Sequence, residues 1–411
     1  MNKFSGFYKK SIEKRREIML EEANYNINFN DTLKEEVYDK MIENAITFYE
    51  IPMGIVTQFP MNNTFYNIPM VTEEPSVIAA ANNAAKILRV NNGIKAHVIS
   101  RIMRGEIIYH NPPASFKEKL KENKTLLVDI ANQQHPSIVK RDGGVTELLF
   151  REIKEGQDLF FIIDVFVDTK EAMGANIINT ILEGLSQELS ALYHCESSMS
   201  ILSNLSTEAL VYAQCQIDPN TLKNKDEILN KFVTAGKIAK VDPYRAATHN
   251  KGIMNGIDAL VIASGNDWRA TEAAMHAYAS KEGQYRGLTN WYIDSGLLVG
   301  EIEIPVPIGT VGGTIPLHPK AQLTHEILGN PDAETLMMLI ASLGLAQNFA
   351  ALYALVTDGI QKGHMRMHAR TIAINAGAEE SILDTVVGLL LEAEHINLDT
   401  AKKIIKDIKS S

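Results

Sequence analysis

Met337 to Val356 is a run with no formally charged residue, and it constrains the chain more than any other stretch. At roughly twenty residues such a run is long enough to cross a bilayer. Ser342, Gln347 and Asn348 lie through its middle, however, and their hydrogen-bonding groups are expensive in hydrocarbon unless protein partners meet them. The run therefore predicts a buried helix of a soluble protein over a membrane span. A chain of 411 residues has the material for that, and at about 100–200 residues per domain two or three domains are expected. Apolar residues make up 45% and charged residues 22%, the balance of a chain that folds throughout.

The net charge of −10 argues against a nucleic-acid binder, whose footprint is a basic excess, and points to small substrates. Cys195 and Cys215 are the only cysteines. Two cysteines make no disulfide framework and no Cys/His metal spacing accompanies them, which fits a reducing cytoplasm. The first twenty residues contain no continuous apolar stretch of the kind a signal peptide needs. Residues 7–50 are charge-rich at helical spacing. Their Lys9, Lys10, Lys14, Arg15 and Arg16 read as a solvated helix face or, more sharply, as a contact for a polyanionic ligand.

The pattern along the chain predicts an α+β fold. Pro75 occupies a first-turn position and Val77, Ala81, Ala84 and Leu88 follow at helical spacing, so Glu74 sits at a helix start. From about residue 95 the pattern runs strand, helix, strand, ending in Leu159–Val167, as a compact α+β unit inserted into a larger one would. A helix beginning near Met173 follows, with Ile177, Ile178, Ile181, Leu182 and Leu185 as its apolar stripe. After about residue 213 a mixed α/β pattern resumes, and Gly359 and Gly363 break the chain before a helical tail. The expected units are a large mixed α/β domain over 1–100 and 214–360, a smaller inserted α+β domain over 101–213, and a helical C-terminal flap over 361–411.

Several residues could carry chemistry. Lys251 precedes Gly252, Gly256 and the apolar run Ala259–Ala263, which reads as a strand ending in the turn "SGND". Lys251 and Asp267 then bracket one element. Charges so placed need partners from elsewhere if they are buried, although two independent surface charges would give the same pattern. The glycines and asparagines around them would let a ligand approach closely. Glu74 is either a simple acid at a helix N-terminus or a site residue. His364, beside Gly363, is either a surface histidine or a proton donor on a mobile tail. His368 completes H-x-x-x-H, but no glutamate or third ligand accompanies it and no metal is expected. The dinucleotide fingerprint G-x-G-x-x-G is absent, so an ordinary Rossmann site is not expected. In "EAMGAN", Ala172, Gly174 and Ala175 would admit either a pyrophosphate or a closely packed strand.

Several stretches resemble, in this order, those of bacterial class II 3-hydroxy-3-methylglutaryl-CoA (HMG-CoA) reductases: "EEPSVIAA", "VDTKEAMGANIINTILE", "DPYRAATHNKGIMNGIDALVIASGNDWRA", "HAYASKEGQYRG", "GLAQNFAAL" and "GIQKGHM". The likeness covers nearly the whole chain. It implies a two-step hydride reduction of HMG-CoA to mevalonate and CoA through a mevaldehyde-level intermediate, in the cytoplasm, by a homodimer or higher multiple with shared sites. It assigns Lys251 to the reacting oxygen, Asp267 to tuning that lysine, Glu74 to protonating the alkoxide with a raised pKa, and His364 to protonating the CoA thiolate. Ser76, Arg245, Asn255 and Gln347 would hold the HMG portion, and Met173, Gly174, Asn176 and Asn204 the cofactor.

Where NAD-preferring relatives carry an acid, this chain has His135, followed by Lys140 and Arg141. A missing acid with cations nearby favours NADPH over NADH, although Asp142 stands where a glycine is common. Two further departures are Thr47, where relatives carry a glycine after Glu43-Asn44, and Glu171 in place of an aspartate, from which little effect is expected. An oxidation of mevalonate with NAD is the alternative direction, and a non-catalytic CoA-ester or nucleotide-binding module the alternative class.

Overall fold

The computed structural model describes residues 3–22, 28–29, 32–223, 225–357 and 360–410; the side chains of 225–227, 360–364, 366–367 and 410 lie outside that description. Two short helices, α1 (Ile12–Glu22) and α2 (Glu35–Met41), lead into a hairpin of β1 (Met53–Met61) and β2 (Thr64–Val71), then α3 (Pro75–Arg89) and β3 (Ile94–Val98). A second unit follows: β4 (Ile102–His110), α4 (Ala114–Glu122), α5 (Lys124–Gln133), α6 (Pro136–Val139), β5 (Gly144–Glu155), β6 (Asp158–Asp168), α7 (Ala175–Tyr193) and β7 (Met199–Leu202). The chain returns through β8 (Leu210–Ile217), α8 (Lys225–Val241), α9 (Pro243–Ala263), α10 (Trp268–Ala279), β9 (Thr289–Asp294), β10 (Leu297–Pro305), α11 (Pro319–Ile327) and α12 (Ala333–Val356). Helices α13 (Ile360–Asn375), α14 (Glu380–Glu392) and α15 (Leu398–Ser410) form the tail.

The strands make two sheets, of order β2-β1-β3-β8-β10-β9 and β5-β6-β4-β7. The second sheet lies wholly between β3 and β8, which pair with each other at Val98 and Val211, so the intervening chain leaves and re-enters the first sheet at neighbouring strands. Each unit has its own core. In the inserted one, Ile107, Phe161 and Ile163 of the sheet meet Ile181, Leu182 and Leu185 of α7. In the tail, Ala369, Ala373, Leu383, Val386 and Leu390 close a small separate cluster.

The uncharged run is α12, and it threads the main core. Leu339, Ile340, Leu343, Leu345 and Phe349 are all fully buried. Of its polar residues Asn348 is fully engaged inside: it accepts from Thr289 at 2.9 Å and from the Trp291 indole at 2.8 Å, and lies 3.1 Å from His249 Nε2. A helix with this burial and these contacts is the middle of a folded domain.

The sequence reading fails at residues 259–263, which are the last turns of α9 and not a strand. Asp242 caps that helix by accepting from the Tyr244 and Arg245 amides, with Pro243 in the first position; a cap of this kind starts a helix that then runs on through Val261 and Ile262. A Cβ on Gly256 would lie 3.1 Å from Gln347 Cβ and 3.3 Å from the Leu343 carbonyl, so the glycine lets α9 lie close against α12. Helix α7 also starts later than Met173, because Gly174, at φ 97°, is its cap residue. The charge-rich first fifty residues hold α-helices only at α1 and α2 within the described part, with a single 3-10 turn at Phe7–Lys9 before them. In α1, Lys14 pairs with Glu17 at 2.7 Å and Arg15 donates to the Lys10 carbonyl at 2.8 Å.

Candidate active site

Glu74, Ser76 and Lys251, far apart in sequence, meet at one point. Glu74 occupies the cap position of α3, but its carboxylate does not cap the helix. It instead accepts from Ser76 Oγ at 2.5 Å and from Lys251 Nζ at 3.1 Å. Thr72 holds the turn by accepting the Glu74 amide at 3.2 Å, and Pro75 fixes the first helical residue. A carboxylate freed from capping and aimed at a lysine on another helix is more than a local terminus acid. The Lys251 side chain is 64% exposed, so the ammonium projects from mid-α9 into open space.

Asp267 stands apart from that pair. It caps α10, accepting from the Arg269 and Ala270 amides at 2.9 and 3.1 Å, and its other oxygen lies 3.3 Å from the Arg269 guanidinium. No ion pair joins it to Lys251. Asn255 lies one turn after Lys251 on the same face of α9. Gln347 is buried on α12, and its Oε1 has no hydrogen-bond partner among the described residues. A buried amide oxygen left unmatched costs about 1–3 kcal/mol and suits a position that receives a donor from a ligand. Arg245, in the first turn of α9, is half-buried, and burial holds its guanidinium below the usual arginine range.

The candidate cofactor residues gather at one end of the second sheet. Gly144 pairs with Asp168 in β5/β6, and Ile102 pairs with the same residue in β4/β6. That register sets the loop carrying His135, Lys140 and Arg141 beside the turn Thr169–Gly174 that opens α7. Asn132 holds the loop by accepting the Val145 amide at 2.7 Å and donating to its carbonyl at 3.1 Å. Ser203 donates to the Arg104 carbonyl at 2.9 Å, which brings the exposed Asn204 to the same end. Asn176, in the first turn of α7, is exposed, and Met173 precedes the cap. Asp142 has φ 61°. Its place is one that glycine fills easily, and aspartate is among the side chains that tolerate it. In the segment around Thr47 the positive φ falls on Asn44, at 56°, so the residue lost as glycine is not the one needing left-handed backbone.

A strap not anticipated from the sequence ties the two regions together. Asn266 accepts the Gly309 amide at 2.9 Å. Gly309 packs so tightly on Glu171, Ala172 and Met173 backbone that a Cβ would overlap it, and Ala172 bridges Val311. Glu171 Oε2 accepts from Thr310 Oγ1 at 2.7 Å and from the Ala333 amide at 2.8 Å. Glu171, the residue that stands in place of an aspartate, thus stitches the turn before α7 to the start of α12. The signal in the sequence was "IGTVGG", whose glycines permit such an approach. His364 falls within α13, and its side chain lies outside the described residues.

A cleft of about 420 Å³ between α10 and β10, lined by Lys240, Tyr278, Arg286 and Glu303, contains none of these candidates. The lysine and carboxylate that could act on a carbonyl, Lys251 and Glu74, lie instead on a more open face.

Known proteins bear directly on this arrangement. The profile of a family described as Hydroxymethylglutaryl-coenzyme A reductase matches residues 11–369. The chain is 40% identical over 418 residues to the 3-hydroxy-3-methylglutaryl-coenzyme A reductase of Archaeoglobus fulgidus, covering 100% of this chain and 95% of that one. It is 36% identical to a probable reductase of the same name from Borreliella burgdorferi, covering 98% and 94%. A solved 3-hydroxy-3-methylglutaryl-coenzyme A reductase of Streptococcus pneumoniae superposes with a TM-score of 0.84 at 43% identity, over 98% of this chain and 99% of that one. A class II form from the same organism, bound to NADPH in open conformations, matches with a TM-score of 0.83 at 44% identity, over 86% and 100%. Profile, full-length relatives and fold agree, and the chain belongs to the hydroxymethylglutaryl-coenzyme A reductase family.

Proposed function

We propose that the protein reduces (S)-HMG-CoA to mevalonate and CoA in the cytoplasm, using two NADPH, as the reductive step of isoprenoid precursor synthesis. The observation that carries this is the Lys251–Glu74–Ser76 cluster, a cation and a carboxylate held 3.1 Å apart on two different helices. The large unit, residues 1–100 and 214–360, holds HMG-CoA; the inserted unit, 101–213, holds the cofactor; residues 361–411 close over the site.

NADPH, when bound, supplies a hydride in each of two rounds. The chain's own groups manage the charge and the protons. Lys251 stabilises the oxygen that becomes negative as the carbonyl carbon is reduced, first at the thioester and then at the aldehyde. Glu74 holds the proton that this oxygen takes, with Ser76 fixing the carboxyl. Asp267 turns from its cap toward Lys251 when the site closes. His364 delivers a proton to the sulfur as the C–S bond breaks, so CoA leaves as a thiol. Arg245 pairs with the free carboxylate of the HMG portion; Asn255 and the unmatched Gln347 Oε1 hold its oxygens.

Met173, Gly174, Asn176 and Asn204 receive the dinucleotide, and Lys140 and Arg141, beside His135, receive its 2′-phosphate. An acid at His135 would repel that phosphate. The sites are completed across a homodimer, which the open setting of Lys251 and the exposed side chains of Ile42, Ile46 and Tyr49 support. The assay is loss of reduced-nicotinamide absorbance with HMG-CoA, run with NADPH and NADH in parallel. A kcat/KM at least tenfold higher with NADPH is expected. Preference for NADH would instead favour mevalonate oxidation, and no turnover with either would favour a binding module.

A further inference from the structure

Helices α9 and α10, which carry Lys251 and Asp267, are joined by a row of titratable groups used by none of the steps above. Asp258 lies two turns from Lys251 on the same side of α9. Its carboxyl is hydrogen-bonded to Glu272 of α10, while its Oδ1 has no partner among the described residues. Glu272 in turn lies 2.5 Å from His276 Nε2, one turn on along α10, and His276 Nδ1 lies 2.7 Å from the Tyr285 hydroxyl. Asn250, the neighbour of Lys251, pins the loop that carries Tyr285 by donating to the Arg286 carbonyl at 2.9 Å and accepting the Leu288 amide at 2.9 Å. The row therefore begins and ends on α9 and passes through α10.

Two carboxyls can be neighbours here only by sharing a proton. Burial, then the Glu272 carboxylate, pushes the Asp258 carboxyl up to about 8. His276 beside Glu272 holds that acid below the usual carboxylate range, and Glu272 in turn raises His276. At neutral pH Asp258 is the protonated acid of the row, and the Glu272 carboxylate favours the imidazolium form of His276. Of the other charged groups nearby, Lys251 faces Glu74, and Lys240 of α8 interacts with Glu282, Arg286 and Lys281.

We propose that Asp258, Glu272, His276 and Tyr285 form a proton-sharing clamp between α9 and α10 that sets the position of Lys251 relative to Asp267. They are positioning residues, and the inference rests on Lys251 and Asp267 being the catalytic pair. When the shared proton leaves to solvent, two adjacent carboxylates repel and the helices part.

The test uses the full-length enzyme, with Asp258→Asn, which can still donate to Glu272 but cannot titrate, and Glu272→Gln. Infrared difference spectra follow the neutral carboxyl without any need for turnover. The wild type is expected to lose that band through pH 8, D258N to lack it, and E272Q to lose it at lower pH because the like charge is gone. In turnover, the wild-type kcat should fall about tenfold from pH 7 to pH 9, the loss of protonated fraction one unit above the midpoint. D258N should fall about twofold or less over the same range, with KM for HMG-CoA unmoved. A D258N profile with the wild-type alkaline limb, or a wild type without the titrating band, overturns the clamp. A titrating band in a wild type that reduces nothing overturns the catalytic reading instead.

Discussion

Lys251 is exposed, paired with Glu74 and part of no core contact, so its replacement separates chemistry from folding. Lys251→Ala should lower kcat by at least about 10²–10³, the effect of removing one oxyanion-stabilising group, with an unchanged circular dichroism spectrum; near-normal turnover would remove it from the mechanism. His364→Gln should weaken reduction of HMG-CoA more than reduction of free mevaldehyde, since only the thioester releases CoA; equal losses on the two substrates would take the histidine out of that step. His249 makes a different kind of prediction. Its burial, then Arg245 and Lys240, hold its imidazole down to about 3, whereas an unfolded histidine takes a proton near 6.5. The unfolded chain thus binds the extra proton between those values, and stability is lost as pH falls from 6.5 toward 3. At pH 5 the loss is about 2 kcal/mol. Denaturant unfolding of His249→Gln at pH 7 and pH 5 should show a smaller acid loss than the wild type by that amount. At this scale the sequence was most legible where a residue type had local meaning. Pro75 marked the terminus holding Glu74, but nothing local joined Asp258 to His276, because their contact depends on how two helices cross.

Elements were read well where a cap or a stripe announced them and badly where composition misled. Val261 and Ile262 suggested a strand, but a helix already capped by Asp242 and pressed on α12 overrides the β preference of its last turns. The glycines around them were legible as small and not as to purpose, since close packing of two helices and close approach of a ligand ask for the same residue. Two alanine substitutions distinguish such purposes. Gly174 has φ 97° and a Cβ there would collide with Thr169, so Gly174→Ala should destabilise by about 1–3 kcal/mol and raise KM for NADPH more than for HMG-CoA. Gly256→Ala presses on the Gln347 side chain and should raise KM for HMG-CoA instead. Steady-state kinetics with each ligand varied in turn reads both.

For the whole molecule, the changes of pattern near residues 95 and 213 could be read along the chain, whereas the strap from Asn266 through Gly309 to Glu171 could not, because it joins three distant segments through backbone groups. The open setting of Lys251 and the exposed Ile46 and Tyr49 belong to this scale too. Ile46→Asp should yield a folded monomer by sedimentation with at least about tenfold lower kcat, as expected when a charge enters an apolar interface; a monomer with full activity would show each site to be complete within one chain. The pairing of β3 with β8 at Val98 and Val211 also has a consequence for synthesis. β3 leaves the ribosome long before its partner does, and roughly 110 residues must follow before the centre of the first sheet can zip, a wait of several seconds at about 5–20 residues per second. During that interval the inserted unit can complete its own sheet and core, while β1, β2 and β3 present a bare, pairable edge, so a nascent chain stalled near residue 200 should be a chaperone client and the finished chain should not.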